Sequence, residues 1–165
     1  MNIGEFIMRR KDREITDVNE ILEIMKQCDV CNVAFFDKEY PYIVPLNFGV
    51  NLADGQFELY FHGANAGTKM ELLSKNNHVG FEMSCKHNLI LQDMPCNSTM
   101  EFESVCGNGI MEVVSQEEKV QFLKTLMQQY QPGVSHEFDS NEINAVAVMR
   151  LKVNTITGKR LKKKA

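Results

Sequence analysis

Apolar positions recur along this chain in two rhythms. Phe57, Leu59 and Phe61 alternate with Gln56, Glu58 and Tyr60, the period of a strand with one buried face. Past a run of small residues, Met70, Leu72 and Leu73 stand at helical spacing. Residues 59–76 therefore read as a strand ending in His62, a short loop, and a helix opening near Gly67. Upstream, Ile21, Leu22, Ile24 and Met25 form the apolar face of another helix, capped by Thr16 or Asp17 and finishing near Gln27. Asp17 with Glu20 three residues on fits a capping box. Residues 30–36 read as a strand with Val33 and Phe35 on one face, and residues 37–39 as a turn. Residues 42–50 read as a second strand, interrupted, bulged or at an edge at Pro45, because proline cannot donate to a ladder. Asp54-Gly55 marks the hairpin turn into the strand at 57–62.

Further along, residues 79–83 read as a fourth strand and 86–98 as an irregular stretch, a candidate flap or partner contact. Residues 99–111 are strand-like, with Gly107 and Gly109 suggesting a bulge or tight bend. Ser115 with Glu118 forms a second capping box, opening a helix to about Tyr130 with Val120, Phe122, Leu123 and Leu126 inward. Residues 131–140 read as loop, and 145–156 as a strongly alternating last strand. About six strands, mostly joined by hairpins, with about three helices predict a mainly β chain: one domain over 1–165, an antiparallel barrel with peripheral helices. No GxGxxG follows a strand, which argues against a doubly wound nucleotide-binding sheet.

Composition narrows the function. A net charge of −4 argues against a general nucleic-acid binder, although residues 159–164 form a short basic ending that reads as a solvated tail unless Arg160 folds back onto a site. No apolar run approaches the ~20 residues of a membrane span. The first residues lack the apolar core of a signal peptide, and those before Met8 read as an upstream extension. Five cysteines, an odd count in a domain of this size, point to free thiols in a reducing cytoplasm. Cys28 and Cys31 have redox or metal spacing, but one such pair without a second fits packing equally well.

The helix start near Gly67 carries the strongest chemistry. The first turn of a helix leaves N–H groups unpaired and partly positive, which suits an anion such as phosphate. Thr68 adds a hydroxyl and Lys69 a full charge at the same place. An ordinary strand–loop–helix joint with a solvated lysine carries the same residues. The break at Pro45 frees backbone groups for a ligand, and a barrel-corner kink accounts for it as well.

Five segments in order, MRRKDREIT at 8–16, YPYIVPLNFG at 40–49, LYFHGANAGTK at 59–69, ESVCGNG at 103–109 and TGKR at 157–160, resemble the Nim-type (5-nitroimidazole resistance) branch of the pyridoxamine 5′-phosphate oxidase-like flavoproteins. The resemblance implies a split β-barrel, a homodimer, and FMN in grooves at the dimer interface. It implies that Val44, Pro45, Leu46 and Asn47 line the flavin, that Tyr60 and His62 flank it, and that Thr68 and Lys69 take its phosphate. Ser104 would reach the phosphate or ring, and Arg160 would come from the partner chain. The oxidase itself uses an arginine and a lysine at the phosphate loop. Here Thr68 precedes Lys69, and the arginines that hold the substrate's phosphate are not evident. His62 is the candidate catalytic group, since an imidazole beside a flavin can deliver a proton near neutral pH; it can equally be a group that only hydrogen-bonds the cofactor. His78, His87 and His136 have no such context. The expected activity is electron transfer from a reduced nicotinamide to a small acceptor such as a nitroaromatic. A non-catalytic FMN- or haem-binding module and a cofactor-free dimer are the alternatives, with His62 or His87 as the haem ligand to try.

Overall fold

The computed structural model describes residues 2–3 and 9–162; most of the predicted upstream extension and the last lysines lie outside them. In chain order the elements are β1 (Asn2–Ile3), β2 (Glu14–Ile15), α1 (Val18–Lys26), β3 (Cys31–Phe35), β4 (Tyr42–Leu46), β5 (Phe48–Ala53) and β6 (Gln56–Ala64). There follow α2 (Thr68–Lys75), β7 (His78–Ile90), β8 (Thr99–Val113), α3 (Lys119–Tyr130), α4 (Ser140–Ala145) and β9 (Val146–Leu161). Two single 3-10 turns lie outside these elements, at Lys11–Arg13 and Pro95–Asn97.

The strands form one sheet in the order β4-β3-β7-β8-β9-β6-β5, and β1 and β2 add to β9. All pairings are antiparallel except β1 with β9. The outer strands β4 and β5 are joined by Asn47 alone, so the sheet curls until its two edges meet without pairing. This is a split barrel, as the hairpin pattern and the resemblance predict. Its interior holds Phe35, Phe48, Phe57, Leu59, Phe61, Met83, Met111 and Leu151, plugged by Ile21, Ile24 and Met25 of α1. Burying each such side chain contributes about 1.5–3 kcal/mol. A second cluster, Tyr60, Phe122, Leu123, Ile143 and Val148, lies between α3, α4 and the outer face of β6 and β9. There α3 crosses β5 at Gly49, where a Cβ would come within 2.5 Å of the Leu126 Cα. Among the described residues no helix is long and apolar enough to cross a membrane.

Several elements differ from the sequence pattern for identifiable reasons. Residues 42–50 form two strands parted at Asn47, not at Pro45. Pro45 pairs with Asn32 on β4, an edge strand, where a missing donor is tolerated. β7 runs on to Ile90 through a register shift between Cys85 and Asn88, with Lys86 at φ 56°, so part of the predicted irregular stretch is strand. β8 shifts register against β9 between Asn108 and Gly109, where a Cβ on Gly109 would sit 2.1 Å from the Lys152 carbonyl oxygen. The expected bulge is therefore at Gly109. β9 extends to Leu161, which makes Thr157 to Arg160 strand and not tail.

The capping boxes also shift. The Asp17 carboxylate accepts from the N–H groups of Asn19 and Glu20, at 2.9 Å each. The Glu20 carboxylate does not reach back; it pairs with Arg160 instead. At Ser115 only the bond from its N–H to Glu118 forms, at 3.1 Å, and α3 starts at Lys119. The complete box is at Asp139 and Glu142, opening α4 inside the predicted loop.

Candidate functional site

Three segments converge at one end of the barrel. The β5–β6 register pairs Phe48 with Phe61, which puts Asn47 beside the strand end carrying His62. The β6–β9 register pairs His62 with Val148 and Ala64 with Val146. α2 then begins after Gly67, whose φ of 117° lies in the region that favours glycine. The Gly67 carbonyl accepts from Met70 and Glu71 at 2.9 and 3.1 Å. The N–H groups of Thr68 and Lys69 have no acceptor among the described residues. The Lys69 side chain folds back over β6, with Cε and Nζ 2.8 Å from where a Gly63 Cβ would stand, so a side chain at 63 would displace the flexible end of the lysine. Two amides open among the described residues, a hydroxyl, and an ammonium with no carboxylate partner among those residues make a donor set suited to a phosphate dianion.

The neighbouring corner is tied from behind. The Tyr130 hydroxyl accepts from the Phe48 N–H at 2.9 Å and the Asn47 side-chain amide at 3.2 Å, and donates to the Asp29 carbonyl at 3.0 Å. Val44 and Leu46 pack their side chains on the core while Pro45 and Asn47 are exposed. This leaves backbone and Asn47 to line a ligand. Asn65 donates to the Asn144 carbonyl at 3.0 Å, and the buried Lys119 ammonium donates to the carbonyls of Ile143 and Val146 at 3.2 and 2.7 Å. These bonds fix the junction of α4 and β9 against the end of β6. No local pattern marks Tyr130 or Lys119 as site supports: they act across 83 and 27 residues of chain.

His62 is exposed at the same end. Tyr60, two residues earlier, is not available. It is 3% exposed, its ring stacks on Phe122 at 4.4 Å, and its hydroxyl donates to Glu58 at 2.6 Å. Burial, with Glu58 second, pushes its pKa up. The structure places Tyr60 beneath α3.

Ser104 and Arg160 lie elsewhere. The register puts them against Lys159 and Glu103 near the far end of β9. Arg160 is fourteen residues from Val146, about 46 Å along a strand at 3.3 Å per residue. Arg160 is engaged by Glu20 and Glu103 of its own chain, and Glu103 also takes the Lys86 ammonium at 2.8 Å. His87 lies in the β7 register shift and lines a separate cavity of about 300 Å³ with Lys86 and Phe102. The cysteine pair is packed inside: Cys28 and Cys31 are 2% and 0% exposed, and the Cys28 thiol donates to the Ile24 carbonyl at 3.3 Å.

The pyridoxamine 5′-phosphate oxidase family profile matches residues 17–160. No curated protein matches the sequence. Among solved structures, a candidate 5-nitroimidazole antibiotic resistance protein from Bacteroides thetaiotaomicron is 34% identical, with a TM-score of 0.76 over 89% of this chain and 86% of that one. The flavocytochrome Anf3 from Azotobacter vinelandii shares the fold at 20% identity, with a TM-score of 0.78 over 95% of this chain and 73% of that one. An FAD- and haem-binding protein from Mycobacterium smegmatis does so at 17% identity, with a TM-score of 0.80 over 92% and 74%. With the barrel, its edge break at Asn47 and the open start of α2 in place, the chain belongs to the pyridoxamine 5′-phosphate oxidase family of split-barrel flavin-binding proteins, alongside its nitroimidazole-resistance branch.

Proposed function

We propose that this protein is a homodimeric FMN flavoprotein that reduces a small acceptor of the nitroaromatic kind. The observation that carries the reading is the pair of unpaired amides at Thr68 and Lys69, with the Lys69 ammonium folded over Gly63 beside them. That set holds a monophosphate. Backbone groups at the exposed corner of Pro45 and Asn47, with the Asn47 side chain, would hold the ring portion. Bound FMN supplies the redox chemistry, taking electrons from a reduced nicotinamide and passing them on.

The chain's own part is binding, orientation and proton supply. Reducing a nitro group to a nitroso group takes two electrons and two protons and releases water. The exposed His62 imidazole is placed to deliver one of those protons from a ring nitrogen and to regain it from solvent. The arginines that hold the phosphate of the oxidase's substrate are not evident in this sequence, apart from the change of arginine to Thr68 at the flavin phosphate loop. An uncharged acceptor fits that balance better.

Titration of the purified protein with FMN, followed by flavin fluorescence, tests the reading. Wild type binds, and Lys69→Ala binds about 10- to 100-fold more weakly, the range expected for losing a charge-assisted hydrogen bond. Equal affinity for both variants removes Lys69 from the phosphate. No binding by wild type removes the flavin.

A further inference from the structure

We infer that Asn47 reads the imide N–H on the pyrimidine edge of the flavin ring, through a side-chain oxygen that Tyr130 and Asp29 hold as a free acceptor. This rests on the flavin reading above and names a group that selects the ring. An amide side chain can offer a ligand either a donor or an acceptor, and its surroundings decide which. Asn47 lies between β4 and β5 and belongs to neither strand. Its Nδ2 is 3.2 Å from the Tyr130 hydroxyl and 3.4 Å from the Asp29 carbonyl.

Both of those oxygens require a donor. A backbone carbonyl only accepts. The Tyr130 hydroxyl has one hydrogen, and it gives that hydrogen to the same Asp29 carbonyl at 3.0 Å. One of its lone pairs takes the buried Phe48 N–H at 2.9 Å, so a lone pair is what remains for Asn47. Turning the amide over would set Oδ1 against two oxygens with no hydrogen between them. The nitrogen is therefore the inward atom. Oδ1 is left over, and among the described residues no donor reaches it.

An exposed asparagine ordinarily turns freely in water. Asn47 is exposed, yet its orientation is fixed from α3, 83 residues along the chain. An acceptor ordered before the ligand arrives loses less entropy when it binds. The donor set at Thr68 and Lys69 recognises a phosphate and cannot tell one monophosphate from another. The identity of the ring must be read elsewhere. The pyrimidine edge of a flavin carries two carbonyl oxygens flanking a single N–H. A free acceptor can bond only the N–H, so Oδ1 selects that atom and rejects a ring that lacks its hydrogen.

FMN and FMN methylated at N3 are titrated into wild type, Asn47→Ala, Tyr130→Phe and Lys69→Ala, each checked for folding by circular dichroism. Wild type prefers FMN about 10-fold, the scale of one hydrogen bond lost. Asn47→Ala binds FMN about 3- to 10-fold more weakly and no longer distinguishes the two ligands. Tyr130→Phe keeps every atom of Asn47 but releases the amide, and its preference shrinks. Lys69→Ala binds both ligands more weakly and keeps the wild-type preference. Equal binding of the two ligands by wild type overturns the assignment. An Asn47→Ala chain that keeps the preference does so too, even if its affinity has fallen, because its role is then structural. Full preference in Tyr130→Phe overturns the fixing of Oδ1 by that hydroxyl. In these three cases weaker FMN binding by Lys69→Ala leaves the flavin reading intact. A wild type that ignores both ligands overturns the flavin reading and the assignment together.

Discussion

Replacing Tyr130 by Phe removes one oxygen and leaves the ring in place. That oxygen accepts from the Phe48 N–H and the Asn47 amide and donates to the Asp29 carbonyl. Asn47 and Asp29 are exposed, so water takes over their bonds at small cost. Phe48 is 0% exposed and water cannot reach its N–H in the same way. A buried donor left without a partner costs about 1–3 kcal/mol, and the two solvent-replaced bonds add a few tenths at most. The expected loss is about 1–3 kcal/mol, or about 2–4 °C in melting temperature for each kcal/mol in a domain of this size. Urea unfolding measures it, with Gln129→Ala as the reference. Gln129 sits on the same helix end but bonds the carbonyls of Met25 and Cys28, away from the corner. Both variants lose stability, but only Tyr130→Phe loosens Asn47 and lowers FMN affinity, by severalfold. A Tyr130→Phe variant within 0.5 kcal/mol of wild type, on the ~1 kcal/mol scale of a single hydrogen bond, refutes the corner's dependence on that hydroxyl. Equal affinity losses in the two variants refute its specificity.

Other outcomes follow from the packing and charges. Gly49→Ala puts a Cβ against the Leu126 backbone and forces α3 outward, at a cost of about 1–3 kcal/mol by thermal denaturation; unchanged stability would mean that α3 does not seat there. Glu103 is pushed up by burial, but Lys86 and Arg160 outweigh that and hold its pKa below 4.5. Its stabilisation is therefore full above the unfolded-state value near 4.5 and is lost as pH falls through the lower folded value. Glu103→Gln is less stable than wild type at neutral pH, and the gap narrows below about pH 4.5; a gap constant with pH contradicts the pairing. A thiol reagent modifies Cys96 first in the native protein and Cys106 more slowly, since burial pushes the Cys106 pKa up. Cys28, Cys31 and Cys85 react only on unfolding; rapid loss of all five thiols would place them outside the core.

What the sequence disclosed follows the range of each interaction. α1, α2 and α3 were legible because their apolar faces repeat every three to four residues. α4 was not: it is six residues long and buries one of them, Ile143, too few to make a period. The helix start at Gly67 was legible because glycine, threonine and lysine adjoin in the chain. Tyr130 was not, because its partner Asn47 is 83 residues away. Tyr60 and His62 share a face of β6, and their pattern is identical. Only the path of α3 across that face covers one and leaves the other open. Arg160 and Lys159 differ by one step of register, which sequence does not resolve until the pairing with β8 is known.

The length of β9 links these observations. Its first half pairs with β6 and carries the end of the barrel where His62 and Lys69 converge. β8 pairs along the other edge from Met149 to Leu161, while past Lys152 the first edge passes from β6 to β1 and β2, in the half that carries Lys159 and Arg160. The change of partner falls beside the register shift at Gly109, where no Cβ is tolerated. One strand thus fixes the separation between the barrel end that carries Lys69 and the end that carries Arg160. In the homodimer proposed above, flavin held between two copies would draw on groups from both chains. The affinity for FMN would then depend on protein concentration, and dilution below the dimer dissociation constant would release the flavin even from an unaltered chain. A monomer that retains FMN on dilution would break this account at its central step.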